Sequence, residues 1–368
     1  EMHVSLVGSE MCIRDSGIVS AEPSGDLLGS NILRALRNKF DNLEVIGIGG
    51  GPLKEFGLSE DRSILEIMGL VEPLLNFHKI TSFRKKIITQ FLDSNIDIFI
   101  GVDAPDFNFE IHKKLKAKGI KTIHVVCPSV WAWRPGRVKH FKHVDYMLCL
   151  FPFEMQYCVN VERKSLCIGH PLAEDLSVNE VVRENQICIM PGSRRSEIKY
   201  NLPAMIQGFK KFNQDKNYKA VIPVYKSEDK SLIDSYLVDD NIICEKVSAL
   251  EILQKSKAAI ICSGTATLEA LIAETPATVV YKMNWLNHFI LKHFVSTEFA
   301  SLPNIIADEE VFSELIQTEV TEKNIAEDLE SIINDLSFKV EITRKVKEKL
   351  IKPNFNTFAE ELYEDSRS

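Results

Sequence analysis

Paired cysteines, an excess of basic charge and long apolar runs are what this sequence lacks, and each absence narrows the reading. No C-x-x-C occurs among the eight cysteines at 12, 127, 149, 158, 167, 188, 244 and 262, so the spacing suggests neither a zinc site nor a disulfide frame. Several lie in apolar strand-like runs, where cysteine behaves as a small hydrophobe, and the set implies a reducing compartment. His140/His143 and His288/His293 have no suitable cysteine or acidic partner, so no metal site is expected. No run approaches the roughly 20 apolar residues of a membrane-spanning helix. The first 16 residues carry Glu1, Glu10, Arg14 and Asp15 and no apolar core, so no signal peptide is expected; residues 1–16 read as a foreign leader that cuts into the first strand. The expected location is the cytoplasm. A net charge of −8 argues against a general nucleic-acid partner.

What is present is a chain of 368 residues, 45% hydrophobic and 26% charged, enough for two soluble globular domains. From Gly17 onward, short apolar runs alternate with amphipathic stretches. Val45–Ile48, Ile96–Val102, 121–127 and Asp145–Leu150 read as strands, with helices after Asp26, over 79–93 and over 107–118. Pro171–Asn185 lacks periodicity. A second series of strands and helices follows from 187 to 281, and the last third is helical and acidic. The expected class is α/β, with two Rossmann-like domains facing one another: 17–172, then 173–338, then C-terminal helices over 339–368. Gly47 and Gly49 invite comparison with G-x-G-x-x-G, but Pro52 breaks that pattern and disfavours an NAD-linked oxidoreductase.

The chain is organised around Ile96–Phe107. Its strand ends at Asp103-Ala104-Pro105-Asp106, where an open α/β sheet binds ligands. Pro105 stiffens the turn, so Asp103 is a candidate general base, while Asp106 is expected to cap the following helix. Ser129, Trp131, Trp133 and Arg134 follow another strand end, a combination suited to stacking on a sugar and binding phosphate. From Ile111 to His143 there are nine Lys and Arg and no Asp or Glu, either a solvated face or a surface for an anionic membrane. The apolar stretch Met68–Phe77, including Leu74, reads either as core or as a patch for acyl chains. Two turns resemble phosphate cradles. One is Gly192-Ser193-Arg194 and the other Ser263-Gly264-Thr265-Ala266, each leaving backbone N–H groups free for a pyrophosphate. Arg194 adds a bidentate cation and Glu269 suits a ribose.

Together these motifs resemble the lipid-A-disaccharide synthases, bacterial glycosyltransferases of the GT-B fold. The resemblance runs from about Gly17 to Ile306. It rests on Ser24-Gly25-Asp26-Leu27-Leu28-Gly29, Met68-Gly69-Leu70-Val71-Glu72, Asp103-Ala104-Pro105-Asp106-Phe107-Asn108, Pro128-Ser129-Val130-Trp131-Ala132-Trp133-Arg134, Phe151-Pro152-Phe153-Glu154, Gly169-His170-Pro171, Pro191-Gly192-Ser193-Arg194, Ser263-Gly264-Thr265-Ala266-Thr267-Leu268-Glu269 and Ser301-Leu302-Pro303-Asn304. It implies inverting transfer of 2,3-diacylglucosamine from UDP-2,3-diacylglucosamine to 2,3-diacylglucosamine 1-phosphate (lipid X), without a metal or other cofactor. Asp103 matches the family's proposed base. Gly192, Ser193, Arg194, Ser263, Gly264, Thr265, Ala266, Glu269 and Asn304 would bind the UDP-sugar. Glu22, Ser24, Met68, Leu74, Ser129, Trp131, Trp133 and Arg134 would hold the acceptor and its acyl chains. Peripheral contact with the cytoplasmic face of the inner membrane is implied; the C-terminal helices would either pack back on the first domain or swap between protomers, and a homodimer is left open.

The sequence departs from the family at Ala21-Glu22-Pro23, where Pro23 removes an N–H, and at Val125, where the family has an aromatic residue. The alternatives are another UDP-N-acetylglucosamine-dependent GT-B enzyme, such as a peptidoglycan-type transferase or a 2-epimerase, and a nucleotide-sugar-binding protein without catalysis.

Overall fold

The computed structural model describes residues 13, 15–58, 77–132, 134–174, 182–224, 227–237, 241–284 and 297–367. The chain divides into two compact units, Glu1–Pro171 with Ile351–Ser368, and Leu172–Leu350.

The first unit is built on six parallel strands: β1 Asp15–Ser20, β2 Glu44–Ile48, β3 Ile98–Val102, β4 Lys121–Val125, β5 Tyr146–Cys149 and β6 Lys164–Cys167. Their order is β2-β1-β3-β4-β5-β6. Ile18 of β1 lies opposite Gly47 of β2 and Ile100 of β3, which fixes the register at the centre. The strands read as continuous apolar runs because helices cover both faces: Ile98, Phe99, Ile100 and Val102 are all fully buried. The helices are α1 Pro23–Arg37, α2 Phe77–Asp93 and α3 Pro105–Lys116. β1 takes in Asp15 and Ser16, so the strand uses the end of the segment expected to lie outside the fold. After β2 the chain enters a 3-10 helix, Gly51–Phe56, rather than an α-helix, and so lacks the helix that a dinucleotide fingerprint would open.

The second unit holds β7 Glu184–Met190, β8 Lys219–Pro223, β9 Ile242–Glu245, β10 Ser256–Cys262, β11 Ala277–Tyr281 and β12 Ser313–Ile316. All are parallel, in the order β12-β11-β10-β7-β8-β9. Its helices are α4 Arg195–Phe212, α5 Ser227–Asp234, α6 Ala249–Lys255, α7 Ala266–Ile272, α8 Leu302–Ala307, α9 Glu322–Asn334 and α10 Leu336–Lys347. Core side chains from β7, β8, β10, α4 and α9 form one apolar cluster, with Phe209, Phe212 and Leu329 at most 2% exposed. Glu274 ties α10 to the unit through Arg344 at 2.9 Å and Lys347 at 3.0 Å.

The last helix, α11 Asn356–Arg367, belongs to the first unit. Phe358 is fully buried and meets Tyr146 edge-on at 5.8 Å between centroids. Asp365 receives Lys121 at 2.5 Å and Arg163 at 2.6 Å. Among the described residues, no helix is long and apolar enough to cross a membrane.

Phe358→Ala should therefore destabilise the first unit by about 3–5 kcal/mol, the usual cost of emptying an aromatic core position. Phe338→Ala, on a side chain 62% exposed, should stay within about 0.5 kcal/mol. Denaturant unfolding of the two variants checks both values, and equal midpoints would contradict the placement of α11.

Candidate functional site

In both sheets an early strand lies beside a later one at the point where strand order reverses: β1 beside β3, and β7 beside β10. The loops leaving such a pair diverge, which opens a crevice at the carboxyl ends of the strands. Glu22, Asp103, Arg194 and the Ser263 turn follow these strands, whereas Ser129, Trp131 and Arg134 follow β4 and Asn304 lies in α8.

In the first unit, Glu22 follows β1 and Asp103 follows β3. Asp103 and Ala104 both have left-handed backbones, with φ of 49° and 43°. The residue before Pro105 thus escapes the helical region through αL rather than through the extended conformation usual before proline. The turn is held on two sides. The Asp103 N–H donates to the Val125 carbonyl at 2.9 Å. Asn108 donates from Nδ2 to the carbonyls of Asp103 at 2.8 Å and Val102 at 3.3 Å. Burial pushes the Asp103 carboxyl up, and the negative charge of Glu22 adds to this against an opposing pull from the Ala104 N–H and Arg137.

Asp106 does not cap α3. The helix starts at Pro105, so Asp106 lies inside its first turn, and its exposed carboxylate pairs with Arg134 at 2.9 Å and Arg137 at 2.5 Å. Two positive charges in the loop after β4 are thereby tethered beside the Asp103 turn. Ser129 is exposed, and Trp131 is half-buried, edge-on to Phe153 at 5.4 Å. Met68, Leu74 and Trp133 lie outside the described residues, as does the Ser24 side chain. The basic run is not a continuous free surface. Lys121 is buried against Asp365, and Lys116 pairs with Asp145 at 2.9 Å and Glu162 at 2.7 Å. Lys113, Lys114, Lys118, Lys139 and Lys142 remain exposed.

In the second unit, Gly192-Ser193-Arg194 leaves β7 and Ser263-Gly264-Thr265 leaves β10. Gly192 has φ +110°, and a Cβ there would lie 2.5 Å from Glu197, so only glycine fits this turn. The N–H groups expected to be free are engaged. Ser193 and Arg194 donate to Glu197 Oε2 at 3.0 and 3.2 Å, and Arg194 Nη1 donates to Oε1 at 2.8 Å. A carboxylate of the protein's own thus sits where the sequence suggested an anion. Gly264 and Thr265 are exposed, Ala266 is half-buried, and Ser263 Oγ donates to the Ala300 carbonyl at 2.7 Å. Burial pushes the Glu269 carboxyl up to about 7.

Asn304 is turned inward rather than offered to a ligand. Its Oδ1 accepts from Val311 N–H and Phe312 N–H, both at 2.9 Å, and its Nδ2 donates to Phe312 O and Glu314 Oε1, both at 2.8 Å. All four hydrogen-bonding positions of the amide are used within the protein. Glu314, which sequence reasoning missed, also accepts from Ala300 N–H at 2.7 Å and Ser301 N–H at 2.8 Å. It fixes the segment that Ser263 touches. Asn108 was missed as the clamp on the Asp103 turn, although its position in the motif was the available signal.

A family model described as lipid-A-disaccharide synthetase matches residues 17–364. The lipid-A-disaccharide synthase of Idiomarina loihiensis is 34% identical over 335 residues, covering 86% of this chain and 88% of that protein. That of Francisella philomiragia is 35% identical over 340 residues, covering 87% and 90%. Among solved structures, a Staphylococcus aureus MnaA–UDP complex is similar with TM-score 0.63 and 10% identity, over 95% of this chain and 94% of that one. The calicheamicin glycosyltransferase CalG4 is similar with TM-score 0.60 and 14% identity, over 96% and 98%. Those two likenesses show the GT-B class of α/β fold. With a family match over nearly the whole described structure and relatives a third identical along their length, the chain belongs to the lipid-A-disaccharide synthetase family.

Proposed function

We propose that the chain transfers the 2,3-diacylglucosaminyl group of UDP-2,3-diacylglucosamine to the 6-hydroxyl of 2,3-diacylglucosamine 1-phosphate, inverting the anomeric centre and releasing UDP. The observation that carries this reading is the position of Asp103, a half-buried residue on a hydrogen-bonded turn beside the reversal point of its sheet. As the acceptor oxygen attacks the anomeric carbon, its proton passes to Asp103. The glycosidic electron pair leaves with UDP, and Arg194 meets the growing negative charge. Ser193 and Arg194 can give their N–H groups to a diphosphate only when Glu197 releases them, so donor binding replaces one anion by another at α4. Gly264, Thr265 and Glu269 take the remaining contacts of the UDP-sugar. The charge balance of the loop after β4 suits the acceptor phosphate, since Asp106 holds Arg134 and Arg137 together without burying them both.

Contact with the cytoplasmic face of an anionic membrane is supported by the five exposed lysines of α3 and its neighbourhood, and by the chemistry of diacylated substrates.

Asp103→Ala should lower kcat by about 100- to 10,000-fold, the range of a lost general base, with UDP affinity nearly unchanged. Steady-state kinetics and UDP titration separate the two effects; unchanged turnover would remove Asp103 from its role. Arg194→Ala should weaken UDP binding by about 1.5–3 kcal/mol, the worth of a charged hydrogen bond. Calorimetric titration reads this directly, and an unaltered Kd would contradict the assignment.

The base must be ionised, so activity falls as pH drops through the Asp103 pKa. Because burial and Glu22 raise that pKa, the acid limb should lie above the ordinary carboxylate range. Glu22→Gln removes a like charge, lowers the pKa of Asp103 and should move the limb to lower pH. A pH profile of kcat for both proteins tests the sign; a shift to higher pH would sink the coupling.

A further inference from the structure

Among the described residues, Cys127, Cys149 and Cys158 bring three sulfurs within 4.8 Å of one another. Cys127 lies two residues beyond β4, Cys149 ends β5, and Cys158 follows the 3-10 helix Pro152–Tyr157. The Cys149 and Cys158 sulfurs are 3.6 Å apart, and those of Cys127 and Cys158 are 3.9 Å apart. All three are free thiols, and none is more than 5% exposed. A soft centre with bonds of about 2.3 Å, as thiolates make to zinc, holds its sulfurs about 3.5–3.8 Å apart. One separation lies in that range, a second just beyond it at 3.9 Å, and the third within 4.8 Å, so small side-chain shifts bring three ligands around one atom.

Charge decides which atom. The walls are Phe109, Val130, Phe141, Val144 and Met147, all apolar. The nearby ionisable group is Glu154, buried and accepting from Leu150 N–H at 2.8 Å and Phe151 N–H at 3.0 Å. Its field on Cys158 is that of another acid, and among the described residues the side chains packed around the sulfurs are apolar, with no cation to balance a complex. Three thiolates on zinc(II) would leave a net charge of −1, and on copper(I) a net charge of −2. Burying such charge without a counter-ion is costly. A trivalent centre gives a neutral complex.

We propose that Cys127, Cys149 and Cys158 form a buried trithiol site for a trivalent thiophilic metalloid of the arsenic class. Arsenous acid is small and uncharged, so its entry past the short 3-10 helix moves no net charge into the core. Three thiols and As(OH)3 give one As(S-Cys)3 and three water molecules. Three S–H and three As–O bonds break, three As–S bonds form, each leaving hydroxide takes a thiol proton, and no oxidation state changes. Occupancy cross-links the ends of β4 and β5 to the 3-10 helix, behind the loop that carries Ser129 and Trp131. This inference stands apart from the glycosyl-transfer reading.

The probe is arsenite, titrated into the full-length reduced chain freed of added thiol. Intact-protein mass is expected to rise by one arsenic less three hydrogens. X-ray absorption is expected to show three sulfurs and no oxygen around the arsenic. Cys127→Ala, Cys149→Ala and Cys158→Ala should each weaken binding by about 100-fold, since the third attachment becomes unavailable. Cys188→Ala and Cys244→Ala, outside the cluster, should leave it unchanged. Retained oxygen, fewer than three sulfurs, or full binding by a folded cluster variant would overturn the proposal. If the variants do not fold, the absorption spectrum of the unaltered protein still decides. Zinc(II) offered at the same concentration should stay unbound, and tight zinc binding through these thiols would overturn the charge argument.

Discussion

The backbone between β3 and α3 is the constraint on which the candidate site rests. Two successive residues, Asp103 and Ala104, sit in left-handed conformations that cost of order 1–3 kcal/mol each outside glycine. They persist because everything around them is fixed. β3 is held between β1 and β4, and Pro105 starts the helix. Asn108, reaching back from the first turn of α3, donates to the carbonyls of both Val102 and Asp103. Gly101 provides the room: a Cβ there would lie 2.7 Å from His112 Nε2 and 3.0 Å from the Asn108 side chain. One missing methyl group in the strand thus lets the helix approach closely enough to clamp the turn.

Raised carboxyl pKa values do not by themselves mark chemistry here. Glu154 is pushed up to about 7 by burial, even though the N–H groups of Leu150 and Phe151 pull it down. Its oxygens are engaged in holding the start of a 3-10 helix, which is a structural task. Glu269 reaches a similar value by burial alone, and Asp103 is raised by burial and a like charge. What separates the latter two is topology: each follows a strand at a reversal point of its sheet, where Glu154 does not.

The alternation of strands and helices was legible because strands covered on both faces are written as unbroken apolar runs, as in Ile98–Val102. The two glycine turns were legible for a similar local reason, since Gly192 needs its positive φ. Partners distant in sequence were not. Nothing near Asp106 announces Arg134 and Arg137, and a carboxylate at a helix start reads as a cap until those arginines are in place. Asn304 looked available because its four partners lie at Phe312, Val311 and Glu314. The three clustered cysteines are separated by 22 and 9 residues and match no ligand spacing; adjacent parallel strands bring them together.

On the proposed reading, the division of labour between the units follows from the residues that their reversal points carry. The reversal point of the first sheet carries Glu22 and Asp103, and burial together with the Glu22 charge raises the pKa of Asp103. Arg134 and Arg137, tethered beside that turn, suit the acceptor phosphate, and the donor's diphosphate is assigned to the turns of the second unit. The second sheet offers the complementary chemistry: glycine, hydroxyl groups and Arg194, with a mobile-length carboxylate, Glu197, already bonded where phosphate oxygens would sit. Two parallel sheets of different strand order, each with its own reversal point, let the base and the diphosphate cradle be built on separate loops.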